Sequence, residues 1–308
     1  MKALVTGCAG FIGSNLVDKL LEKGHEVIGI DCYTDYYPKS IKERNISEAL
    51  KNRNFKLIQE DILNMSEFPE VDYVFHLAAQ AGVRASWGKS FDIYIKDNIE
   101  STQRILEFYK NKNIKKLVYA SSSSVYGDVQ LPMREDSPLR PLSPYGVTKL
   151  AGENLCYLYW KNYDIPLISL RYFTVYGPRQ RPDMAIHKFV NAILNKKEIT
   201  IYDDGTQMRD FTYVSDVVEA NLAAAEKTIV GRVFNIGGSS EISVNMLIEK
   251  ISHIIGMDAI IRYEEKQKGD ARFTRADVSG AKKYLNWTPR VDLDSGLAKY
   301  LDWTKQIV

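Results

Sequence analysis

Short apolar runs alternate with longer stretches of helical periodicity along the chain. The runs are typical of buried strands, and we predict strands at residues 2–6, 26–30, 55–58, 73–76, 116–120 and 167–170. Between them, residues 14–23 place leucines on one helical face and end before Gly24, and longer helices are predicted at 91–111 and 144–163. This alternation predicts βαβ units around a parallel sheet, which is an α/β fold.

The pattern changes after about residue 175. A turn-rich segment with Gly177, Pro178 and Pro182 precedes shorter helices and strands, yet residues 232–236 again have the pattern of a buried strand. We therefore expect two interleaved domains. The first is a doubly wound domain at 1–175 with a segment that returns near 210–237, and the second is a smaller α/β domain at 176–308.

Composition narrows the class of protein. Apolar residues make up 45% and charged residues 26% of the 308, as in ordinary globular chains. The net charge of +2 is too small for a general polyanion binder, and the apolar runs are too short to span a membrane, so we expect neither a nucleic-acid nor a membrane partner. Cys8, Cys32 and Cys156 are too few and scattered for disulfides or zinc, so we expect a cytoplasmic protein without a metal.

A glycine-rich turn joins the first predicted strand to the first helix. Its GxxGxxG spacing lets the backbone approach a pyrophosphate, whose charge meets the N–H groups at the helix start. The residues expected to line this site are Gly7, Gly10, Phe11, Ile12 and Gly13. A glycine triplet alone also suits a structural turn, but Asp31 follows the second strand, where a carboxylate accepts hydrogen bonds from ribose and repels a 2′-phosphate. The pattern predicts NAD rather than NADP.

Two further loops follow predicted strands. Asp61 and Ile62 come after the third strand, where Asp61 could meet the adenine amino group. Leu77, Ala78 and Ala79 come after the fourth, where small residues let the backbone pass close to ribose and pyrophosphate. In this order they trace a cofactor groove along the carboxyl edge of a parallel sheet.

A tyrosine and a lysine begin the predicted helix at 144–163. Tyr145 and Lys149 are four residues apart and share one helix face. A phenol with a pKa near ~10 is a poor base, but a nearby ammonium favours the phenolate. Ser122, in the serine run after the fifth strand, would supply a hydroxyl to the same substrate oxygen. An isolated Tyr-x-x-x-Lys is usually an amphipathic face, but the upstream dinucleotide loop favours a reactive site.

Six ordered motifs resemble the extended short-chain dehydrogenase/reductase family. They are TGCAGFIGS (6–14), HLAAQAGVRAS (76–86), SSSSVYG (121–127), SPYGVTK (143–149), RYFTVYGPRQRPDMA (171–185) and MRDFTYVSD (208–216). Within that family the chain is most similar to the nucleotide-sugar 4-epimerases. The resemblance implies a Rossmann-type domain that holds NAD, a smaller domain that holds a UDP-sugar, and a homodimer whose helices at 91–111 and 144–163 form a four-helix bundle.

The resemblance also implies catalytic roles. Tyr145 takes the proton of the sugar 4-hydroxyl, Lys149 binds the nicotinamide ribose and lowers the Tyr145 pKa, and Ser122 assists. Hydride leaves carbon 4, the 4-keto sugar turns over in the site, and hydride returns to its other face. The same resemblance assigns Tyr172 to the cofactor.

Substrate contacts are implied in the same way. Tyr202 is expected to flank uracil, and Arg209 and Arg272 are expected to bind the diphosphate, although surface ion pairing is the alternative for Arg272. Thr174 stands where galactose-type epimerases carry an asparagine near the UDP. The remaining substrate contacts are assigned to the serine run, at Ser122, Ser123 and Ser124.

The segment RQRPDMA (179–185) resembles the UDP-glucuronate 4-epimerases. A C-6 carboxylate needs a fixed cation, and Arg181 offers a two-pronged one. The 4-keto form of a uronic acid is a β-keto acid that loses carbon dioxide when its carboxylate aligns with the carbonyl, so holding that carboxylate suppresses the loss. Arg84 is a second candidate contact for the sugar or its carboxylate.

The position before Val-Tyr-Gly bears on the reaction type. Related decarboxylases and dehydratases carry a carboxylate there, whereas this chain has Ser124, which favours simple epimerisation. We therefore predict an NAD-dependent UDP-glucuronate 4-epimerase, with UDP-glucose or UDP-N-acetylglucosamine as alternative substrates. A non-catalytic NAD-binding regulatory protein is a further alternative, which the intact Tyr145, Lys149 and Ser122 disfavour.

Overall fold

The computed structural model describes residues 1–238 and 240–307. Its strands, numbered along the chain, are β1 (Lys2–Thr6), β2 (Glu26–Ile30), β3 (Phe55–Ile58), β4 (Tyr73–His76), β5 (Lys116–Ser122), β6 (Leu167–Tyr172), β7 (Thr174–Tyr176), β8 (Glu198–Tyr202), β9 (Met208–Tyr213), β10 (Arg232–Ile236), β11 (Glu241–Ser243) and β12 (Ile260–Glu264).

The α-helices are α1 (Phe11–Glu22), α2 (Lys39–Asn45), α3 (Phe91–Tyr94), α4 (Ser101–Tyr109), α5 (Pro144–Tyr163), α6 (Ala185–Leu194), α7 (Val214–Glu226), α8 (Val244–Ile255), α9 (Ser279–Leu285) and α10 (Leu293–Ile307). Short 3₁₀ helices occur at Ala49–Lys51, Ile62–Asn64, Arg84–Ser86, Gly88–Ser90 and Ser123–Val125. No helix in the described parts of the chain is long and apolar enough to cross a membrane.

Seven strands form one parallel sheet in the order β10-β6-β5-β4-β1-β2-β3. The order reverses at β1, as in doubly wound folds, and the predicted Rossmann-type fold is confirmed. Strands β5 and β6 each run two residues beyond the prediction, because Ser121 and Ser122 pair in register with Arg171 and Tyr172. Backbone pairing extends a strand into polar positions that an apolar pattern does not mark.

Both faces of the sheet are covered by helices, which is why its central strands β1, β4, β5 and β6 are almost wholly buried. One face packs against α1 and α7, with Leu16 and Val217 in its core, and the other packs against α4 and α5, with Leu106 and Cys156 in its core. The loops that follow the strands therefore remain the open part of this domain.

The long helix predicted at 91–111 is interrupted. A π-helical turn at Ile95–Glu100 separates α3 from α4, and the last helix of this stretch ends at Tyr109. Within this turn Asn98 is buried, and its amide nitrogen donates to the Gln80 carbonyl at 3.0 Å and to the Thr148 hydroxyl at 2.9 Å. A π-helical turn contains one residue more than an α-helical turn, and here it directs Asn98 toward the loop that follows β4. Apolar periodicity in the sequence does not reveal such a turn.

The second half of the chain interleaves with the first. Strand β10 returns to the edge of the seven-stranded sheet beside β6. Strand β9, at the start of the segment predicted to return, instead forms a three-stranded sheet with β7 and β11. Strands β8 and β12 form a separate parallel pair. The smaller sheets stand beyond the carboxyl end of β6, where they face the open loops.

Candidate active site

A first cleft runs along the loops that follow β1, β2, β3 and β4. The structure brings together in its lining every residue assigned to the cofactor, namely Gly7, Gly10, Phe11, Ile12, Gly13, Asp31, Asp61, Ile62, Leu77, Ala78, Ala79, Tyr145, Lys149 and Tyr172. These residues come from six separate stretches of the sequence. Their convergence follows from the parallel sheet, since the carboxyl ends of its strands share one edge.

The glycine turn leaves no room for larger residues at Gly7 and Gly13. Gly7 has a φ of +69°, and a Cβ at Gly13 would lie 2.1 Å from the Gly7 carbonyl oxygen. A Cβ at Gly10 would meet only that same oxygen, at 3.2 Å, so it would project toward the cleft. Gly10 also caps α1, whose first-turn N–H groups have no partner within the helix. This turn fits the pyrophosphate of a dinucleotide.

Two carboxylates line the part of the first cleft where ribose and adenine are predicted to bind. Asp31 accepts hydrogen bonds from the Ala9 N–H at 3.0 Å and the Tyr33 N–H at 2.9 Å, one on each oxygen. Asp61 accepts from the Leu63 N–H at 2.9 Å. Because a carboxylate has about four lone-pair positions, each keeps acceptors for a ligand. These free acceptors fit the ribose hydroxyls and the adenine amino group of NAD.

A second cleft of about 820 Å³ lies between the carboxyl ends of β5 and β6 and the smaller sheets. Its lining contains all but one of the residues assigned to the substrate, namely Arg84, Ser122, Ser123, Ser124, Tyr145, Thr174, Arg181, Tyr202 and Arg209. Tyr145 and Arg181 line both clefts, so they stand where the two meet.

The start of α5 positions Tyr145 at this junction. The Ser143 hydroxyl accepts from the Gly146 N–H at 3.1 Å and caps the helix, and Pro144 occupies its first turn. Burial raises the pKa of the Tyr145 phenol, while hydrogen bonding with Ser122 and the positive charge of Arg181 act to lower it. The phenol therefore lies beside a hydroxyl and a cation that both favour its ionised form.

Lys149 lies one turn further along α5 and is almost fully buried. Its ammonium stands 4.6 Å from the centroid of the Tyr119 ring, and burial lowers its pKa to about 8. Arg181 is a cation whose charge acts to lower the Tyr145 pKa in this structure, and the effect that the resemblance implies for Lys149 stays a prediction. The Lys149 side chain packs against Tyr119 of β5 and also lines the first cleft.

The Arg181 guanidinium is already held in place. Its Nε and Nη2 donate to the two oxygens of Asp183 at 2.9 and 3.0 Å, and the Tyr36 hydroxyl donates to the same carboxylate at 3.2 Å. An arginine has five N–H donors, so three remain for a ligand in the second cleft. Asp183 thus fixes the orientation of Arg181 without using all of its binding capacity.

Arg84 and Tyr202 form a contact that the sequence did not indicate. The Arg84 guanidinium lies 4.3 Å from the centroid of the Tyr202 ring and donates to Asp270 at 2.7 and 3.1 Å. One face of the ring assigned to uracil is therefore covered by Arg84. This happens because the loop after β4 and the segment before α9 meet at the rim of the second cleft.

The two arginines assigned to the diphosphate lie in different places. Arg209 lines the second cleft, where its Nη1 donates to the carbonyls of Met208 at 2.9 Å and Arg272 at 3.2 Å. Among the residues that the structure describes, Arg272 is not part of the lining of either cleft. Its side chain is 55% exposed and lies 3.9 Å from Asp204, which favours the surface ion pair.

Comparison with known proteins identifies the family. Residues 3–237 match the model of the NAD dependent epimerase/dehydratase family. The chain belongs to the NAD-dependent epimerase/dehydratase family.

Relatives of this epimerase/dehydratase cover all or nearly all of the chain. A UDP-glucuronic acid 4-epimerase from Bacillus cereus, solved with UDP-glucuronic acid and NAD, is 46% identical with a TM-score of 0.97 over 100% of both chains. A UDP-glucuronate 4-epimerase of Thermodesulfobacterium geofontis (strain OPF15) is 42% identical over 96% of this chain and 93% of its own. The uncharacterized UDP-glucose epimerase YtcB of Bacillus subtilis (strain 168) is 46% identical over 96% of each.

Three residues that line or support the two clefts of this epimerase/dehydratase were not predicted as site residues from the sequence. Asp183 is two residues from Arg181, so a carboxylate beside a candidate clamp was a usable signal. Lys42 lines the first cleft, nearly buried, with its ammonium bonded to the Thr34 carbonyl. Asp270 pairs with a residue 186 positions away, and no local pattern could have revealed it.

Proposed function

We propose that this family member is a UDP-glucuronate 4-epimerase that interconverts UDP-glucuronate and UDP-galacturonate with NAD. The observation that carries the proposal is the meeting of the two clefts at Tyr145 and Arg181. One cleft offers a dinucleotide cradle, the other has room for a sugar nucleotide, and a base and a carboxylate-binding cation stand between them. The two UDP-glucuronate 4-epimerases among the relatives support the same assignment.

The reaction begins at the Tyr145 phenol. As the phenolate it takes the proton of the sugar 4-hydroxyl, and the Ser122 hydroxyl stabilises the same oxygen as it becomes a carbonyl. NAD bound in the first cleft accepts the hydride from carbon 4 and returns it, so that no cofactor is consumed. Tyr145 then gives the proton back to the inverted 4-oxygen. The second cleft, about 820 Å³ in volume, has room for the 4-keto sugar to turn over while it stays bound.

Arg181 protects the intermediate from decarboxylation. The 4-keto uronate is a β-keto acid, which loses carbon dioxide when the carboxylate is free to align with the carbonyl. The donors of Arg181 that Asp183 leaves available would hold this carboxylate in a fixed direction. Ser124 lines the second cleft at the position where related decarboxylases and dehydratases carry a carboxylate for chemistry at carbon 5. Its hydroxyl does not replace that carboxylate, which supports epimerisation without further steps.

The proposal is tested by giving the purified protein three substrates in parallel. With UDP-glucuronate, UDP-glucose and UDP-N-acetylglucosamine, we expect the 4-epimer of the uronate to form at least about tenfold faster than the others, because only the uronate meets Arg181. Products are separated by anion-exchange chromatography, with UDP-pentose followed as the decarboxylation product. Faster turnover of UDP-glucose would instead assign the function that the name of the Bacillus subtilis relative carries. Turnover of none would favour a regulatory protein.

The proposed enzyme is a cytoplasmic homodimer. Helix α5 and the adjoining stretch through α4 expose apolar side chains, including Ile93, Val147 and Leu158, each about half exposed. Pairing these helices with their copies would bury the patch in a four-helix bundle. We expect light scattering to give twice the 35.1 kDa chain mass, and we expect Val147→Lys with Leu158→Lys to give the chain mass. A wild-type monomer would contradict the dimer.

A further inference from the structure

A buried ion pair lies directly beneath the catalytic start of α5. The Glu153 carboxylate accepts from Arg171 Nε at 2.9 Å and from Nη2 at 2.7 Å, and both side chains are at most 5% exposed. The Ser121 hydroxyl donates to the same carboxylate. Glu153 thus joins α5 to the ends of β5 and β6. Its partner on β5, Ser121, directly precedes Ser122.

Glu153 shares a helix face with the catalytic pair. It follows Lys149 by four residues and Tyr145 by eight, so the three side chains lie along one side of α5. Because Arg171 and Ser121 fix the Glu153 carboxylate, they fix the rotation of this face relative to the serine run. The geometry therefore couples the ion pair to the two catalytic side chains.

Lys149 needs a compensating charge because it is buried. The titratable groups that face it are Tyr119 on β5, His76 on β4, and Cys156 and Glu153 on its own helix. Burial raises the pKa of the Tyr119 phenol and of the Cys156 thiol, and it lowers the pKa of His76 to about 3, so all three are uncharged near neutral pH. Glu153, one helical turn from Lys149 and ion-paired with Arg171, is the carboxylate in this set.

We propose that Glu153, held by Arg171, is a positioning residue that keeps the Lys149 ammonium charged and directed into the first cleft. Arg171 has a double effect in this arrangement. It satisfies the buried carboxylate, and by taking both carboxylate oxygens it stops Glu153 from drawing the ammonium away from the cleft. This inference extends the proposed mechanism by one residue.

The sign of the expected pH effect follows from the charges. Burial has already lowered the pKa of Lys149 to about 8, and the Glu153 charge acts in the opposite direction. In Glu153→Gln that opposing charge is lost, so the ammonium should lose its proton roughly one pH unit lower. The alkaline limb of the kcat profile should move to lower pH by the same amount.

The experiment follows the Lys149 ammonium directly by NMR titration of lysine-labelled protein, with the signal assigned through Lys149→Met. The readout needs no substrate, so its failure is separate from failure of the proposed function. We compare wild type, Glu153→Gln, and Glu153→Gln with Arg171→Met, which removes both charges and leaves no buried ion unpaired. The double variant should shift in the same direction by less, because the Arg171 charge is lost as well.

Asp18→Asn is the matched control. It breaks the partly buried contact between Asp18 and Arg179, 2.6 Å long, away from the two clefts, and should leave the Lys149 titration unchanged. If Glu153→Gln alone fails to fold, the double variant decides. A wild-type titration midpoint in the folded double variant would overturn the proposal and reduce the ion pair to a structural role.

Discussion

Tyr145→Phe is expected to lower kcat for 4-epimerisation by about a thousandfold or more, while NAD binding is retained. The substitution removes only the hydroxyl that lies at the junction of the clefts beside Ser122 and Arg181. The ring remains, together with its edge contact to Tyr94, whose centroid is 6.2 Å away. Turnover is measured by chromatography of the UDP-sugars, and cofactor content by absorbance of the released NAD.

Tyr263→Phe is the control for this variant. Tyr263 is 54% exposed on β12, away from both clefts, and the loss of its hydroxyl should leave kcat within about twofold of wild type. Residual activity of Tyr145→Phe above about one-tenth of wild type would reject Tyr145 as the base, because general-base catalysis contributes far more than tenfold. Loss of NAD would show instead that the hydroxyl serves cofactor binding.

Arg181→Ala is expected to lower kcat/KM for UDP-glucuronate by about a hundredfold to a thousandfold, the cost of leaving one member of a buried charge pair unpaired. For UDP-glucose the loss should be smaller, because no carboxylate depends on the arginine. A shared part is expected for both substrates, since the Arg181 charge also favours the Tyr145 phenolate. UDP-pentose should accumulate from the uronate, because the keto acid is no longer held.

The control for this variant lies two residues earlier. Arg179 turns away from the clefts to Asp18, so Arg179→Ala should leave the preference between the two sugars unchanged. Equal losses on UDP-glucuronate and UDP-glucose in Arg181→Ala would remove the carboxylate clamp from the mechanism. The arginine would then act only on Tyr145.

The parallel sheet was predictable because its strands are buried on both faces and so appear as continuous apolar runs. The first cleft followed from the same pattern. Once strands at 2–6, 26–30 and 73–76 are parallel neighbours, Gly7, Asp31 and Leu77 must meet at their carboxyl ends. The Tyr145 and Lys149 spacing was equally local, since four residues make one helical turn.

The residues assigned to the substrate do not all lie where they were expected in the second cleft. Most assigned residues line it, but Arg84 covers a face of Tyr202, and Arg272 faces Asp204 at the surface. Neither of these two contacts is marked by a local sequence pattern. Asp270 reaches Arg84 across 186 positions, and only the packing of the smaller sheets against the first domain brings them together.

The sequence by itself was enough to predict a dinucleotide cradle, a tyrosine base with its lysine, and an arginine for a carboxylate. These depend on spacing within one turn or one strand end, where local geometry sets the neighbours. Only the tertiary structure decided which charges face one another, such as Arg181 with Asp183 and Glu153 with Arg171. Electrostatic effects depend on distance and burial across separate elements, and those quantities exist only once the chain has folded.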